Sequence, residues 1–312
     1  MPTDVEFPQI SIVVPTHNEE ENVIELHRRL TKVFTLLEMS FELIFVDDST
    51  DRTTSIIEGI IEEDSNVKLI RLTRSFGQAN AISAGVDFAN GSAIIMMDAD
   101  LQDPPELIPE FVSRWKNGFA VVYASRLSQG NFLYRFLSHK FYKIQSRLSN
   151  THVAENAGEF RLIDKRVADF IRVLPERNRY LRGQTLWPGY KSCSISIDRQ
   201  ERLNGETKYN LRKSFSVAIS GLIAFSTKPL RVAVTFSILL VFLIFLLILT
   251  YIIMRNITPN SFSPGWLSLL IAILGVGALN LFILGIIGEY VGQLFEQVQG
   301  RPRYVIDYIK QR

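Results

Sequence analysis

One stretch decides how this chain is interpreted: Ile94-Ile-Met-Met-Asp98-Ala-Asp100-Leu-Gln102-Asp103-Pro-Pro-Glu106. Its first four residues are apolar and predict a strand buried on both faces. Asp98 and Asp100 follow directly, and carboxylates two positions apart point to the same side of an extended chain. A hard divalent cation with oxygen ligands would relieve their repulsion, and Mg²⁺ completes its shell with substrate phosphates. The alternative is an acidic loop that merely begins a helix at Asp103 or Pro104.

Outward from this stretch, apolar strands alternate with helices of roughly ten to fifteen residues, which predicts a doubly wound, mostly parallel α/β sheet. Ligands of such sheets bind beyond the carboxyl ends of the strands. One of Asp47 and Asp48 is interpreted as a hydrogen-bond acceptor for a base or ribose, and capping of the next helix is the alternative. Each predicted strand end carries polar or charged residues: Pro15-Thr16, Asp47-Asp48, Arg71 to Arg74, Asp98 to Asp100 and Ser125-Arg126.

Composition narrows the function classes. The 312 residues are 47% hydrophobic, and the apolar excess follows residue 229. A net charge of +2 is too small to indicate a nucleic-acid partner. The single cysteine, Cys193, excludes an intramolecular disulfide and fits a reducing compartment. Glycine-rich dinucleotide loops and Walker sequences are missing, so a dinucleotide or P-loop site has no support.

Two uncharged runs predict membrane spans. Residues 232–254 would form a helix of roughly 35 Å, enough for a ~30 Å hydrocarbon core. Residues 266–288 form the second run, bracketed by Trp266 and Tyr290 as interfacial anchors. Two spans place both chain ends on one side of the membrane. The loop between the spans carries Arg255, whereas the C-terminal tail is basic, so the preceding domain and the tail are predicted to be cytoplasmic.

Six motifs in order make the chain resemble family 2 glycosyltransferases. The likeness is closest to polyisoprenyl-phosphate glycosyltransferases of the bactoprenol glucosyltransferase type, which are related to dolichol-phosphate mannose synthases. The motifs are Val13-Val-Pro15-Thr-His-Asn18-Glu19, Val46-Asp47-Asp48-Ser-Thr-Asp51, Arg74-Ser-Phe-Gly77-Gln-Ala-Asn80, Met97-Asp98-Ala-Asp100-Leu-Gln102-Asp-Pro, Gly158-Glu-Phe-Arg161-Leu and Arg202-Leu-Asn-Gly-Glu-Thr-Lys208-Tyr.

The resemblance implies a GT-A fold that binds a UDP- or GDP-sugar with a divalent metal, Mg²⁺ or Mn²⁺. The residues assigned to the nucleotide sugar are Pro15, Thr16, Glu19, Asp47, Asp48, Arg74, Gly77, Asn80, Asp98 and Arg126. Those assigned to the metal are Asp98, Asp100 and Gln102. Those assigned to catalysis are Asp98, Asp100, Glu159 and Arg161.

The chain departs from the family pattern at one place. Relatives often show Asp-x-Gly-Asp-Phe-Arg, whereas this chain has Asn156-Ala-Gly158-Glu159-Phe-Arg161. Glu159 is therefore the candidate for a base or an acceptor-orienting group. A base is not strictly required, since a phosphate monoester has its second pKa near 6 and is already a nucleophile at neutral pH.

The implied organisation is a cytoplasmic GT-A domain (1–210), an interfacial amphipathic helix (211–228), two transmembrane helices (229–295) and a basic cytoplasmic tail (296–312). Before the first span, Arg202 and Lys208 flank a bend at Gly205, and we predict that they bind the phosphate of a lipid acceptor. The alternative is that they only pair with anionic headgroups of the bilayer. Small residues in the second span would allow close helix packing in a homo-oligomer.

The expected reaction is inverting transfer of a sugar, with UDP-glucose as the expected donor, to polyprenyl phosphate at the cytoplasmic leaflet. Alternatives are transfer from GDP-mannose, as in dolichol-phosphate mannose synthases, and a processive polysaccharide synthase. The second would carry Gln-x-x-Arg-Trp, but Gln184-Thr-Leu-Trp187 lacks the arginine. A non-enzymatic membrane scaffold or channel is a further alternative, against which the intact Asp98 and Asp100 argue.

Overall fold

The computed structural model describes residues 8–126, 157–177, 179–197 and 265–312, with scattered positions between 239 and 257. The chain divides into two compact units. The first comprises residues 1–146, 151–210 and 301–312, and the second comprises residues 147–150 and 211–300.

The first unit is built on one eight-stranded sheet in the order β7-β5-β6-β4-β1-β2-β3-β8. Strands β4, β1, β2 and β3 are parallel, β6 is antiparallel to both its neighbours, β7 is parallel to β5, and β8 is antiparallel to β3. The strands are β1 Ile10–Thr16, β2 Phe41–Asp47, β3 Val67–Leu72, β4 Ala93–Met96, β5 Val121–Arg126, β6 Ala157–Asp164, β7 Ser192–Ile197 and β8 Ile306–Gln311.

Helices cover both faces of this sheet. One apolar layer includes residues of α1, α2 and α4, and the other includes residues of α3, α5 and α6. Strand β1 contributes to both layers because successive side chains point to opposite faces: Ile12 joins the first layer and Val13 the second. The helices are α1 Val23–Leu37, α2 Thr53–Glu63, α3 Gln78–Phe88, α4 Ile108–Lys116, α5 Lys165–Val173 and α6 Leu181–Gln184, with a 3-10 turn at Pro105–Leu107.

The α/β prediction is confirmed, and β4 includes three of the four residues, Ile94 to Met97, that were predicted to form a strand. The C-terminal residues require a correction. Residues 296–312 were predicted to be only a basic tail, but Ile306–Gln311 forms the edge strand β8, in register with β3 from Lys68 to Leu72. The pairing is formed with residues more than two hundred positions away, so no local sequence pattern indicates it.

The second unit contains one long described helix, α7, Trp266–Val298. Within it, Ala272–Val298 is long and apolar enough to cross a membrane, with a mean hydropathy of 2.0 over its most apolar 18 residues. This is the single such helix in the described part of the chain. The predicted first span, 232–254, and the predicted interfacial helix, 211–228, lie outside the described residues apart from a few scattered helical positions from 239 onward.

Candidate active site

A cleft of about 330 Å³ opens at the carboxyl ends of the parallel strands. This is within the usual size range of small-ligand sites. Its walls come from the loops after β1, β2, β3 and β4. The lining residues are Pro15, Thr16, His17, Glu19, Asp48, Ser75, Gln78, Ala81, Asp98, Ala99 and Asp100.

The acidic loop after β4 contributes two carboxylates to the cleft, as the sequence predicts. An oxygen of Asp98 accepts a hydrogen bond from Gln78 Nε2 at 2.6 Å. An oxygen of Asp100 accepts one from the backbone N–H of Gln102 at 3.2 Å. Leu101, directly after Asp100, has φ 58°, a left-handed conformation that is costly for a non-glycine residue and is concentrated at functional sites. The loop is thus held in a tight turn that places both carboxylates at the cleft.

Beyond these carboxylates the loop is anchored to α1. The guanidinium of Arg29 donates two hydrogen bonds to the carboxylate of Glu106. This pairing lowers the pKa of Glu106, so the carboxylate stays charged. Gln102, predicted to be a metal ligand, is only 4% exposed and is not among the lining residues. Its backbone N–H donates the hydrogen bond that orients the Asp100 carboxylate.

The cleft residues fit a divalent cation that takes only a few protein ligands. No group of three or more His, Cys, Asp or Glu side chains that could hold a metal ion occurs among the described residues. The described residues of this site do not supply the set of ligands that a structural zinc or calcium site uses. Two carboxylates in an open cleft match the way Mg²⁺ binds through one or two protein carboxylates together with substrate phosphates.

The structure separates the roles of Asp47 and Asp48, which the sequence leaves open. Asp47 is fully buried, and its carboxylate accepts hydrogen bonds from Thr16 Oγ1 at 2.9 Å, Thr54 Oγ1 at 2.6 Å and Arg71 Nη1 at 2.6 Å. These bonds use its acceptor capacity inside the protein. Asp48 lines the cleft, with Oδ1 2.6 Å from Nδ1 of His17. Asp48 is therefore the residue of the pair placed to contact a ligand.

Polar contacts join the loops after β1 and β2. The backbone N–H of Asn18 donates to Ser49 Oγ at 2.8 Å, and Asn18 Oδ1 accepts from the backbone N–H of Thr50 at 2.9 Å. Asn18 has φ 58°, which asparagine tolerates better than most residues. Glu19, a predicted nucleotide-binding residue, is held by its backbone N–H bond to Thr53 Oγ1 at 2.9 Å. These hydrogen bonds join the two loops on one side of the cleft.

The segment from Arg74 to Asn80, a loop and the first turn of α3, also contributes to the cleft. Arg74 is exposed and stacks over the ring of Phe76, 4.2 Å from its centroid. Gly77 has φ 87° with nothing within 4 Å of an added Cβ, so glycine is required there for its backbone conformation. Asn80 Nδ2 donates to the carbonyl of Phe76 at 2.8 Å. Of the predicted residues here, none lines the cleft itself; their neighbours Ser75 and Gln78 do.

The two predicted catalytic residues on β6, Glu159 and Arg161, are not among the residues that line the cleft. Arg161 is fully buried and donates to the carbonyl of Gly158 at 2.6 Å and to Thr185 Oγ1 at 2.8 Å. Burial lowers the pKa of this guanidinium, and the charge of Glu159 opposes that effect. Glu159 accepts a hydrogen bond from Arg182 Nε at 2.6 Å. Arg161 therefore ties β6 to the residues around α6, and its catalytic role stays a prediction.

Three other predicted residues have side chains outside the described part of the chain. Arg126 ends β5, but its side chain lies outside the described residues, and so do Arg202 and Lys208. Sequence reasoning missed His17, Ser75 and Gln78 as site residues, although all three fall inside motifs quoted for the resemblance. Their membership of those motifs was the signal that could have found them.

Comparison with known proteins now gives the family. The model of glycosyl transferase family 2 matches residues 11–172 of the chain. The chain belongs to glycosyl transferase family 2. This glycosyltransferase is 40% identical to an uncharacterized glycosyltransferase of Synechocystis sp. over 96% of this chain and 94% of the relative. It is 36% identical to the prophage bactoprenol glucosyl transferase homolog of Escherichia coli over 97% and 99%.

A solved structure supports the fold of the enzyme. Glucosyl-3-phosphoglycerate synthase from Mycobacterium tuberculosis superposes with a TM-score of 0.52 at 17% identity, covering 70% of this chain and 79% of that one. At this identity the likeness concerns the fold alone. Together with the mixed sheet, it confirms the predicted GT-A-type α/β architecture.

Proposed function

We propose that this glycosyltransferase transfers glucose from UDP-glucose to polyprenyl phosphate, with inversion at the anomeric carbon. The observation that carries the proposal is the extent of the match to relatives named bactoprenol glucosyl transferase. Those of Shigella flexneri and of Escherichia coli are 36% identical over 96% and 97% of the chain. The match therefore runs well beyond the catalytic segment 11–172 into the apolar C-terminal part.

The described cleft supplies the donor site. Asp48 would accept hydrogen bonds from the uracil or ribose, beside Pro15, Thr16 and Glu19. The remote structural neighbour has been solved with Mn²⁺ and UDP-glucose, which shows what a cleft of this fold accommodates in that protein. Asp98 and Asp100 would hold Mg²⁺ or Mn²⁺. When bound, the cation supplies positive charge against the diphosphate leaving group.

The reaction itself needs little help with protons. An oxygen of the acceptor phosphate attacks the anomeric carbon, the bond from that carbon to the β-phosphate oxygen breaks, and UDP leaves with the electron pair. Because the second pKa of a phosphate monoester is near 6, the acceptor is largely a dianion at neutral pH. The Arg182 contact of Glu159 agrees with a reaction that needs no base.

The acceptor requires a membrane-bound enzyme, and α7 supports this part of the proposal by its length and hydropathy. We extend it to two spans, a cytoplasmic catalytic domain, and Arg202 and Lys208 as ligands of the acceptor phosphate. The test of orientation is a cysteine introduced at Asn260, in the loop between the two uncharged runs. It should react with an impermeant maleimide in intact cells, whereas Cys193 should not, and the opposite labelling would overturn the orientation.

The function is tested with membranes that contain the full-length enzyme, polyprenyl phosphate and a panel of radiolabelled sugar nucleotides. We expect label from UDP-glucose to enter an organic-extractable lipid only when the acceptor is added. Membranes with Asp100→Asn are the control for endogenous activity. Lipid labelled from GDP-mannose but not from UDP-glucose would contradict the donor assignment, and a long glucose polymer would indicate a processive synthase.

A further inference from the structure

The strand β8 contacts helices on both faces of the sheet. Tyr304, just before the strand, donates through its hydroxyl to Asp87 of α3 at 2.9 Å. Tyr308 donates to Glu58 of α2 at 2.9 Å, and Lys310 Nζ lies 3.3 Å from the same carboxylate. Helix α3 belongs to one apolar layer and α2 to the other. The C-terminal strand thus fastens both layers at the edge of the sheet.

Within β8, Tyr308 stands directly opposite Arg71 of β3. Residues that face each other in an antiparallel pair project from the same side of the sheet, within side-chain contact. Burial raises the pKa of the Tyr308 phenol, as does its bond to Glu58, and the nearby charge of Arg71 opposes the rise. The pairing therefore places Tyr308 beside Arg71, on the side of β3 that faces away from β2.

Arg71 reaches from β3 to the turn that carries Asp48. Its Nη1 donates to Asp47 at 2.6 Å, and its Nη2 donates to the carbonyl of Ser49 at 2.6 Å. These two acceptors belong to the residues immediately before and after Asp48. One guanidinium thus fixes both sides of the residue that lines the cleft, and its fork of donors suits this two-point contact.

We propose that β8 is a positioning element of the donor site, and that Tyr308 acts on nucleotide binding through Arg71 and the Asp47–Ser49 turn. The inference rests on the proposed function, because it assumes that Asp48 binds the nucleoside part of the donor. By limiting the rotamers of Arg71 and its contact with water, Tyr308 keeps the turn in its binding geometry before the ligand arrives. Groups in one such network couple measurably when one of them is changed.

The test is UDP binding to the purified full-length enzyme in detergent, measured by titration calorimetry with Mn²⁺ present. Tyr308→Ala should weaken UDP binding about fivefold, equivalent to about 1 kcal/mol. It should raise the KM for UDP-glucose to a similar extent, with kcat at saturating donor and the KM for polyprenyl phosphate unchanged. Tyr308→Phe retains the ring against Arg71 and should recover most of the affinity.

The matched control is Lys310→Ala, two residues along the same strand. Lys310 also pairs with Glu58 but stands opposite Leu69 rather than Arg71. It should lower the melting temperature slightly and leave UDP binding unchanged. If Tyr308→Ala does not fold, Arg71→Lys replaces it: one ammonium cannot make both contacts, so the same loss of about fivefold is expected.

The outcomes distinguish this inference from the function on which it rests. Normal UDP binding by folded Tyr308→Ala, or by Arg71→Lys, would overturn the positioning role and leave the proposed function standing. A lower melting temperature with unchanged UDP affinity would also overturn it, because β8 would then only stabilise the fold. Failure of the wild-type enzyme to bind UDP would instead overturn the proposed donor and, with it, this inference.

Discussion

The two halves of the sheet use charged residues in opposite ways. At the carboxyl ends of β1, β2 and β4, the side chains of Asp48, Asp98 and Asp100 line a cleft. On β6, Arg161 is sealed inside the protein and Glu159 is bound by Arg182. The same kinds of residues therefore have different roles depending on where the backbone places them.

Strand direction explains the difference. The residue that follows the last paired position of a parallel strand lies at the open edge of the sheet, where no neighbouring strand covers it. Strand β6 runs the other way, so Arg161 lies within the strand, opposite Met96 of β4, and points into the packed layers. In this sheet the carboxylates that line the site follow parallel strands, whereas Asp47, still paired within β2, and Arg161, within β6, are structural contacts.

The largest expected effect is a loss of turnover when Asp100, in the parallel half of the sheet, loses its charge. Asp100→Asn keeps the size of the side chain and removes the charge that would hold the metal against the diphosphate. We expect turnover to fall at least ~10²-fold, the scale for loss of one electrostatic stabiliser. The melting temperature should not change. The matched control is Glu110→Gln on α4, a half-exposed carboxylate that should keep full turnover. Full activity of Asp100→Asn, or of the wild type in EDTA, would refute the metal assignment.

The next effect is a loss of folding stability with little loss of turnover, when the buried Arg161 of β6 is replaced. Arg161→Leu leaves the carbonyl of Gly158 and the hydroxyl of Thr185 without their donor. We expect the free energy of unfolding to fall by about 2 kcal/mol, since each unpaired buried group costs 1–3 kcal/mol. Turnover per folded molecule should stay within about threefold of the wild type. Arg114→Leu, at a half-exposed arginine, should be neutral. A stable but inactive Arg161→Leu enzyme would restore the catalytic role predicted from sequence.

A third prediction sharpens the comparison within the parallel half. Asp48→Asn should raise the KM for UDP-glucose about tenfold, a loss of about 1.4 kcal/mol, with little change in stability. Asp47→Asn should chiefly destabilise the domain, because an amide cannot accept all the bonds that the buried carboxylate accepts from Thr16, Thr54 and Arg71. Its effect on the KM for UDP-glucose should not exceed the roughly fivefold loss expected from a weakened Arg71 contact. Donor kinetics and thermal unfolding measured on both variants check this. If the two residues exchange these effects, the assignment of the turn is wrong.

The sequence predicts the parallel half better than the rest for a physical reason. The strand–helix alternation and the strand-end carboxylates are local patterns, and they correctly predict the sheet and the placement of Asp98 and Asp100 at the cleft. The choice between Asp47 and Asp48 depends on partners such as Arg71, on another strand. The pairing of β8 with β3 joins distant parts of the chain. No short stretch of the sequence indicates either the choice between Asp47 and Asp48 or the pairing of β8 with β3.

The smallest expected effect concerns Glu159 on β6, the antiparallel strand that pairs with β4 of the parallel half. Gly158 and Glu159 lie near the start of β6, towards the site edge of the sheet, so position alone would allow a catalytic role. A general base typically contributes 10²–10⁴-fold, and Glu159→Gln would remove it completely. The acceptor phosphate, however, needs no deprotonation at neutral pH. The Glu159 carboxylate also accepts a hydrogen bond from Arg182.

We therefore expect Glu159→Gln to lower kcat by no more than about threefold at pH 7.5, with Arg182→Gln giving a similar small loss if the two act as a pair. Rates measured from pH 5 to 8 should follow the ionisation of the acceptor phosphate in both the wild type and the variant. A fall of a hundredfold or more in Glu159→Gln alone would show instead that this half of the sheet also supplies chemistry.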